Sequence, residues 1–224
     1  MIIGVLSDAH GNFEGFMSGL RTLEKNQADT ILFLGDAIGY IPDPDVLHHL
    51  MKTGIPFVKG NHEAHFLSGN VSQEKELVYQ FESLRPKLDN DHLRFIKELP
   101  IKFDWQDGNL RIQGVHGSLA DPTCGYVYPD SELEPIASDR KEVVLMGNTH
   151  HPFVRNVDNT LFVNVGSCGL PRDESGLGCV ALVDTKNHSA SLIKFSIENA
   201  ARKVLSEFNL HDSVKRHLLR AITQ

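Results

Sequence analysis

The sequence has no long apolar run. No stretch of the 224 residues approaches the roughly 18 consecutive apolar residues that a membrane-spanning helix requires. The first apolar run, Ile2 to Leu6, has no basic segment before it and no small-residue cleavage site after it, so we expect a strand there and not a secretion signal. These absences predict a protein that has no membrane contact and works in the cytoplasm.

The sequence also lacks closely spaced cysteine pairs and an excess of positively charged residues. Cys124, Cys168 and Cys179 are odd in number and lack CxxC spacing, which predicts reduced core thiols and excludes a zinc knuckle or a disulfide framework. The 22 Lys and Arg residues are outnumbered by 29 Asp and Glu residues, giving a net charge of -7. This balance disfavours a nucleic acid polymer or an anionic membrane as partner and suits cation binding.

What is present is the composition of a globular domain. Hydrophobic residues make up 41% of the chain and charged residues 23%, both close to globular averages. Because single cores grow to roughly 250 residues, we expect one domain over residues 1–224, with a helical extension at 198–222. The oligomeric state is open, since an apolar helix face packs equally well on its own core or on a neighbour's.

Short apolar runs that end in glycine-containing turns predict buried strands. In the first part of the chain they cover residues 2–7, 30–35, 56–60, 110–116 and 143–147, with room for helices at 12–26 and 44–53. This alternation predicts parallel strands joined by helices. Later runs at 153–157, 161–165, 178–184 and 190–197 predict antiparallel hairpins. Helical periodicity predicts two helices within 72–99 and a helical hairpin at 198–222.

Polar side chains of metal-ligand type follow five of these predicted strands. They are, in chain order, Asp8 and His10, Asp36, Asn61 and His62, His116, and Asn148 and His150. Any one of them is common in a turn. Because the carboxyl ends of the strands in an α/β sheet border one crevice, and each group lies near a glycine that permits a tight turn, we expect these side chains to share one site.

These groups resemble the calcineurin-like metallophosphoesterase superfamily in order and spacing. The blocks are Asp-x-His at 8–10, Gly-Asp at 35–36, Gly-Asn-His-Glu at 60–63, the lone His116, and Gly-Asn-Thr-His at 147–150. Residues 39–40 and 165–173 are similar to the small prokaryotic phosphodiesterase branch. The resemblance implies an α/β fold, a four-layer α/β/β/α sandwich of two mixed sheets. It also implies hydrolysis of phosphodiesters or phosphomonoesters by a hydroxide that bridges two metal ions.

The resemblance also implies the ligands of two divalent cations. They are Asp8, His10 and His150 for the first cation, Asp36 as the bridge, and Asn61 and His116 for the second. Oxygen and nitrogen ligands of this kind suit Mn, Fe, Ni, Co or Zn better than calcium, and residue type does not choose among them.

Four further positions carry expectations about mechanism. Asn148 stands where the family has the first His of G-H-x-H, so we expect its neutral amide to ligate the second cation weakly. His62 is the candidate to protonate the leaving group or orient the phosphate, and together with Asp36 it forms the predicted catalytic pair. Arg172 and Tyr40 are weaker candidates for contact with the substrate.

Several functions remain compatible with the sequence. We expect a small phosphorylated substrate, a nucleotide or another phosphodiester, chosen by loops at 42–45, 68–73 and 121–128. The alternative is a non-catalytic scaffold or binding protein with a residual metal site; Asn148 supports it, and the retained His62 argues against it. A nuclease is disfavoured by the acidic charge. A regulator whose terminal helices dock a partner stays open.

Overall fold

Nine strands form two mixed β-sheets in the computed structural model, which describes residues 1–223. The strands are β1 (Ile2–Leu6), β2 (Thr30–Phe33), β3 (Lys102–Asp107), β4 (Leu110–Val115), β5 (Lys141–Met146), β6 (Phe153–Val157), β7 (Thr160–Asn164), β8 (Gly178–Asp184) and β9 (Ser189–Phe195). The first sheet has the order β2-β1-β8-β9 and the second the order β3-β4-β5-β7-β6.

Eight α-helices accompany the sheets over the same described residues. They are α1 (Phe13–Lys25), α2 (Asp45–Thr53), α3 (Asn61–Ser68), α4 (Gln73–Tyr79), α5 (Phe81–Leu84), α6 (Asn90–Glu98), α7 (Glu198–Glu207) and α8 (Asp212–Arg220). A short 3-10 helix at Arg85–Lys87 follows α5. None of these helices is both long and apolar enough to cross a bilayer.

Strand pairing places the carboxyl ends of four strands at the same edge of the molecule. β1 pairs with β2 in parallel, and β4 pairs with β5 in parallel, as predicted from the alternation of strands and helices. The predicted antiparallel hairpins are confirmed as β6 with β7 and β8 with β9. The loops after β1, β2, β4 and β5 therefore emerge side by side.

The main core lies between the two sheets, and β1 is buried on both of its faces. Ile3 and Val5 point toward the second sheet, where they pack with Val143 and Leu145 of β5. On the opposite face, Gly4 lets α1 approach, since a Cβ there would stand 2.9 Å from Leu23 Cδ1. The continuous apolar run at the start of the chain follows from this two-sided burial.

The outer faces of the two sheets are covered in different ways. Helices cover the first sheet, in a cluster that includes Phe16, Leu47 and Phe66. The second sheet is covered by coil, because Val127, Leu133 and Ile136 of the segment 118–140 pack on the apolar residues of its outer face. The terminal helices α7 and α8 build a separate cluster.

The architecture predicted from the sequence, an α/β fold of two mixed sheets with flanking helices and a terminal helical pair, is confirmed. Residues 56–60 differ from the prediction, because only Phe57 pairs with the neighbouring strand before the chain turns into α3 at Gly60. The segment 72–99 holds three short α-helices where two were predicted. Gln80 interrupts it with a left-handed φ of 55°.

Candidate metal centre

The predicted ligands lie together in the loops that leave the carboxyl ends of the strands. Each loop is tied to the next through its backbone: Asp8 N–H donates to Gly35 O at 3.0 Å, and His10 N–H donates to Asp36 O at 3.0 Å. Every predicted ligand side chain is buried. The site is thus a closed cluster of charged and polar groups between the edges of two sheets.

Most of these ligands have a left-handed backbone. Positive φ values between 53° and 65° occur at five of them, Asp8, His10, Asp36, Asn148 and His150. For residues other than glycine this conformation carries strain of about 1 to 3 kcal/mol each, and it persists only where the surroundings enforce it. The fold therefore holds these side chains inward at a cost in stability, as is typical of functional sites.

The first group of ligands brings two imidazole nitrogens face to face. His10 Nε2 and His150 Nε2 are 3.0 Å apart, and they lie 3.6 Å and 3.1 Å from Asp8 Oδ1. The Nδ1 atoms of the two rings face backbone carbonyls, those of Ile38 and Leu170. This arrangement keeps the proton on Nδ1 and leaves Nε2 as an acceptor. Two acceptors at this distance repel each other unless positive charge lies between them.

The second group repeats this pattern around Asp36. Its Oδ2 lies 3.3 Å from His116 Nε2 and 3.7 Å from His10 Nε2. The ring of His116 is held by Leu34 O, 2.6 Å from Nδ1, while Nε2 faces Asn61 Oδ1 at 3.0 Å. Here too an amide oxygen and a ring nitrogen meet, and they need a proton or a cation between them.

The donor set fits divalent cations. Asp8 Oδ1 is buried and accepts no hydrogen bond from any described residue, although a buried carboxylate oxygen is normally paired. Burial opposes ionisation, but the neighbouring imidazoles of His150 and His116 hold the pKa of Asp8 well below its usual range. In the same way His116 and His62 outweigh burial and lower the pKa of Asp36. Both carboxylates are therefore in the charged form that metal coordination requires.

Comparison with known proteins identifies the family to which this chain belongs. The calcineurin-like phosphoesterase superfamily domain matches residues 1–188 of the 224-residue chain. The chain belongs to the calcineurin-like phosphoesterase superfamily. Its membership makes it a metallophosphoesterase, a hydrolase that acts on phosphoester bonds.

Similar proteins come from archaea and bacteria. A probable metallophosphoesterase of Methanothermobacter thermautotrophicus is 23% identical over 205 residues, covering 87% of this chain and 92% of that protein. An uncharacterized protein of Methanocaldococcus jannaschii is 23% identical over 226 residues, covering 91% and 92%. The crystal structure of a metallophosphoesterase from Sphaerobacter thermophilus superposes with a TM-score of 0.78 at 23% identity, covering 99% of this chain and 100% of that one. The shared fold extends over the whole chain.

Within this phosphoesterase fold, His62 lies against the second ligand group. Its backbone N–H donates to Asp36 Oδ1 at 2.9 Å, and its Nε2 lies 3.9 Å from Asp36 Oδ2. The rings of Tyr40 and Tyr79 pack on it at 4.5 Å and 4.4 Å between centroids. Burial lowers the pKa of His62 well below its usual value, while the charge of Asp36 acts in the opposite direction.

Asn148, the departure from the family pattern, joins the ligands to a loop. Its backbone N–H donates to Asp8 Oδ2 at 3.0 Å, and its side-chain Nδ2 donates to Gly125 O at 2.9 Å. This bond fixes the orientation of the amide, because the reverse orientation would bring two oxygens together. Only Oδ1 of the side chain is left for a cation, and Nδ2 tethers the segment that contains residues 121–128.

Arg172 and Tyr40 lie beside the ligands, as expected for residues that contact substrate. Arg172 Nη2 donates to the hydroxyl of Tyr40 at 2.7 Å, and the Tyr40 ring lies 4.5 Å from that of His10. The Nε atom of Arg172 is buried and has no partner among residues 1–223. Burial, followed by the charge of Arg172, lowers the pKa of His150 to about 4. A fixed positive charge therefore acts directly on the site.

Sequence reasoning gave no role to Glu63, which the structure places under the ligand loops. Its buried carboxylate accepts four backbone N–H bonds, from Asp36, Ala37, Ile38 and Gly60, at 2.9, 2.8, 3.3 and 2.9 Å. Burial raises the pKa of Glu63 to about 7, against the pull of these bonds. The signal available in the sequence was an acidic residue three positions after Gly60 at the start of a helix, the spacing of a capping box.

One further prediction about this region was wrong. Cys168 and Cys179 are buried thiols, as expected, but Cys124 is exposed. It belongs to the loop that Asn148 tethers, and that loop lies outside the core.

Proposed function

We propose that the chain hydrolyses small phosphodiesters and, more slowly, phosphomonoesters in a cleft above these ligands. The observation that supports the proposal is the buried contact between two ring nitrogens, His10 Nε2 and His150 Nε2, beside two ionised carboxylates. Such pairing is unfavourable in a scaffold, whereas it suits a centre that binds cations.

The proposed ligands fall into two sets. Asp8, His10 and His150 would hold one divalent cation, Asn61 and His116 another, with Asp36 between them and Asn148 contributing weakly through Oδ1. Two cations so held would supply an activated water and would neutralise the charge that develops on the phosphoryl oxygens.

The side chains around the ligands bind and orient the substrate. Arg172 can bind a phosphate oxygen through its guanidinium, whose direction is fixed by the bond to the Tyr40 hydroxyl. His62 is held by packing against Tyr40 and Tyr79 with its ring toward Asp36, so it can give a proton to the leaving oxygen or donate a hydrogen bond to the phosphate. The burial of the ligands excludes bulk water from the reacting phosphorus.

The proposal is tested by hydrolysis of bis(p-nitrophenyl) phosphate and p-nitrophenyl phosphate by metal-stripped protein titrated with Mn, Ni or Zn. We expect turnover only with added metal, and a higher kcat/KM for the diester. Folded protein that turns over neither ester with any of the metals would contradict hydrolysis and favour the scaffold alternative that Asn148 suggests.

Restoring an imidazole at position 148 should strengthen the second cation site. We expect Asn148→His to bind the second Mn about tenfold more tightly, since imidazole is a better ligand than a neutral amide for such metals. The measurement is calorimetric titration of metal-stripped protein. Asn109→His, which adds a histidine at an exposed position, is the matched control. An unchanged second affinity in Asn148→His would show that position 148 does not face that cation.

A further inference from the structure

The chain has four tyrosines, and all of them lie near the metal centre or near residues adjacent to its ligands. Tyr40 and Tyr79 form the inner pair, in contact with the ring of His62. Tyr126 and Tyr128 lie farther out on the loop that Asn148 tethers through Gly125. Their gathering at one place is notable because these tyrosines come from three segments far apart in sequence.

The outer pair presents flat, exposed aromatic faces. Tyr126 is 58% exposed and Tyr128 42% exposed. Their rings are nearly parallel, with an interplanar angle of 10° and centroids 6.2 Å apart. Tyr128 also lies 5.8 Å from the ring of His151, the residue after His150. The pair is therefore an aromatic surface that begins at His151, next to a proposed ligand in the chain, and is open to solvent.

The turn that leads to these two tyrosines is fixed by its own backbone, without help from a ligand. Gly117 N–H donates to Pro122 O at 2.7 Å, and Gly125 N–H donates to Asp121 O at 3.0 Å. The turn is so tight that a Cβ on Gly117 would stand 2.5 Å from Gly125 N. A surface fixed in advance loses little conformational entropy when a ligand binds to it.

The charge of Arg172 at the site acts on Tyr126, one member of the outer pair. Burial raises the pKa of Tyr126, and the charge of Arg172 acts in the opposite direction on its hydroxyl. Arg172 is also the residue proposed to bind a phosphate oxygen. Gly125, the neighbour of Tyr126, is also bonded to Asn148, so a molecule whose phosphate contacts Arg172 can extend from the ligands toward Tyr126.

We propose that Tyr126 and Tyr128 form a stacking surface for a planar aromatic group attached to the phosphate, so that the substrate is a phosphoester of a nucleoside or of an aryl alcohol. The inference rests on the proposed function, because it takes the phosphorus to lie at the metal centre. Stacking suits this surface because every nucleobase has a π-face and tyrosine offers a large, rigid one. Stacking of this kind does not require hydrogen bonds to the edges of the base.

The test compares phosphates that differ only in the flat group. Binding of thymidylate and of deoxyribose phosphate is measured by calorimetry, in Mn-loaded protein and in protein without added metal. We expect thymidylate to bind about tenfold more tightly, a typical effect of one stacked base. The ratio of the affinities for thymidylate and deoxyribose phosphate should fall toward one in the double variant Tyr126→Ala, Tyr128→Ala. The ratio should persist in the double Phe variant, which keeps both rings.

The control is Trp105→Ala, which removes an exposed aromatic ring from the groove at the opposite end of β1 and should leave the ratio of affinities unchanged.

A second arm of the experiment compares the binding of phenyl phosphate with that of methyl phosphate. A preference for thymidylate alone assigns the surface to a nucleobase, and a preference in both arms assigns it to aromatic groups in general. A ratio near one in the wild type, or a ratio that survives in the double Ala variant, overturns the inference.

This design separates the inference from the proposed function. If the protein binds thymidylate more tightly than deoxyribose phosphate but hydrolyses no phosphoester, the stacking surface is supported and the hydrolase assignment is contradicted. If it hydrolyses p-nitrophenyl methylphosphate but binds the two phosphates equally, the hydrolase assignment is supported and the stacking surface is contradicted.

Discussion

Asp36→Asn should lower kcat/KM for bis(p-nitrophenyl) phosphate by roughly 1,000-fold or more. Asp36 Oδ2 lies between His116 and His10, so it is the oxygen that both proposed cations would share. Replacing it with an amide nitrogen removes a charged ligand from both sites. A bound cation contributes several kcal/mol to the transition state, and each 1.36 kcal/mol is a factor of ten in rate, which gives about three orders of magnitude.

The fold should survive this change, because the remaining oxygen of Asn can still accept the backbone N–H of His62. Circular dichroism and urea unfolding of Asp36→Asn check that it does. Asp91→Asn, on an exposed face of α6, makes the same chemical change away from the site and should keep full activity. A folded Asp36→Asn protein with more than a tenth of wild-type activity would remove Asp36 from the mechanism.

Glu63→Ala should cost at least about 4 kcal/mol of the free energy of unfolding. Four buried backbone N–H groups lose their acceptor, and each unpaired buried donor costs about 1 to 3 kcal/mol, less where water enters the space. That is a large part of the 5 to 15 kcal/mol typical of folded proteins. Glu63→Gln should cost about 2 kcal/mol, because its amide nitrogen faces two donors while its oxygen still accepts from the other two.

Urea unfolding followed by circular dichroism measures both variants. Glu207→Ala, at the exposed C-terminal end of α7, is the control and should change stability by less than about 0.5 kcal/mol. If Glu63→Ala unfolds within 1 kcal/mol of the wild type, then water replaces the carboxylate and Glu63 does not hold the ligand loops together.

Much of the fold, and the clustering of the proposed ligands, could be predicted because both depend on local sequence patterns. β1 is a continuous apolar run, and Asp8 follows it directly. The position of such a ligand depends on the strand that precedes it, and strand ends in these sheets meet at one edge. The short distance from each ligand to the end of its strand made the sequence informative.

Other features depend on contacts that no short window contains. From the sequence alone Glu63 is predicted to cap a helix. Only the folded structure brings the backbone N–H groups of Asp36 and Ala37 to its carboxylate. The segment at 56–60 has the composition of a strand but pairs through Phe57 alone. Tyr126 and Tyr128 are polar-aromatic loop residues with no periodicity, so their position beside the ligands could be found only in three dimensions. Residues 121–128 were predicted to shape specificity, but not which side chains would do so.

The coil at 118–140 also bears on how enzymes of this kind diversify. The same stretch carries Tyr126 and Tyr128 near its start and, through Val127, Leu133 and Ile136, shields the outer face of the second sheet. On the proposed role of Tyr126 and Tyr128, a recombined protein that receives this stretch from a relative acquires a new substrate preference together with a new apolar cover for the sheet. We therefore expect exchange of the whole stretch to succeed only between parents whose second sheets have matching outer faces, whereas point changes at 126 and 128 should alter selectivity and leave the cover intact.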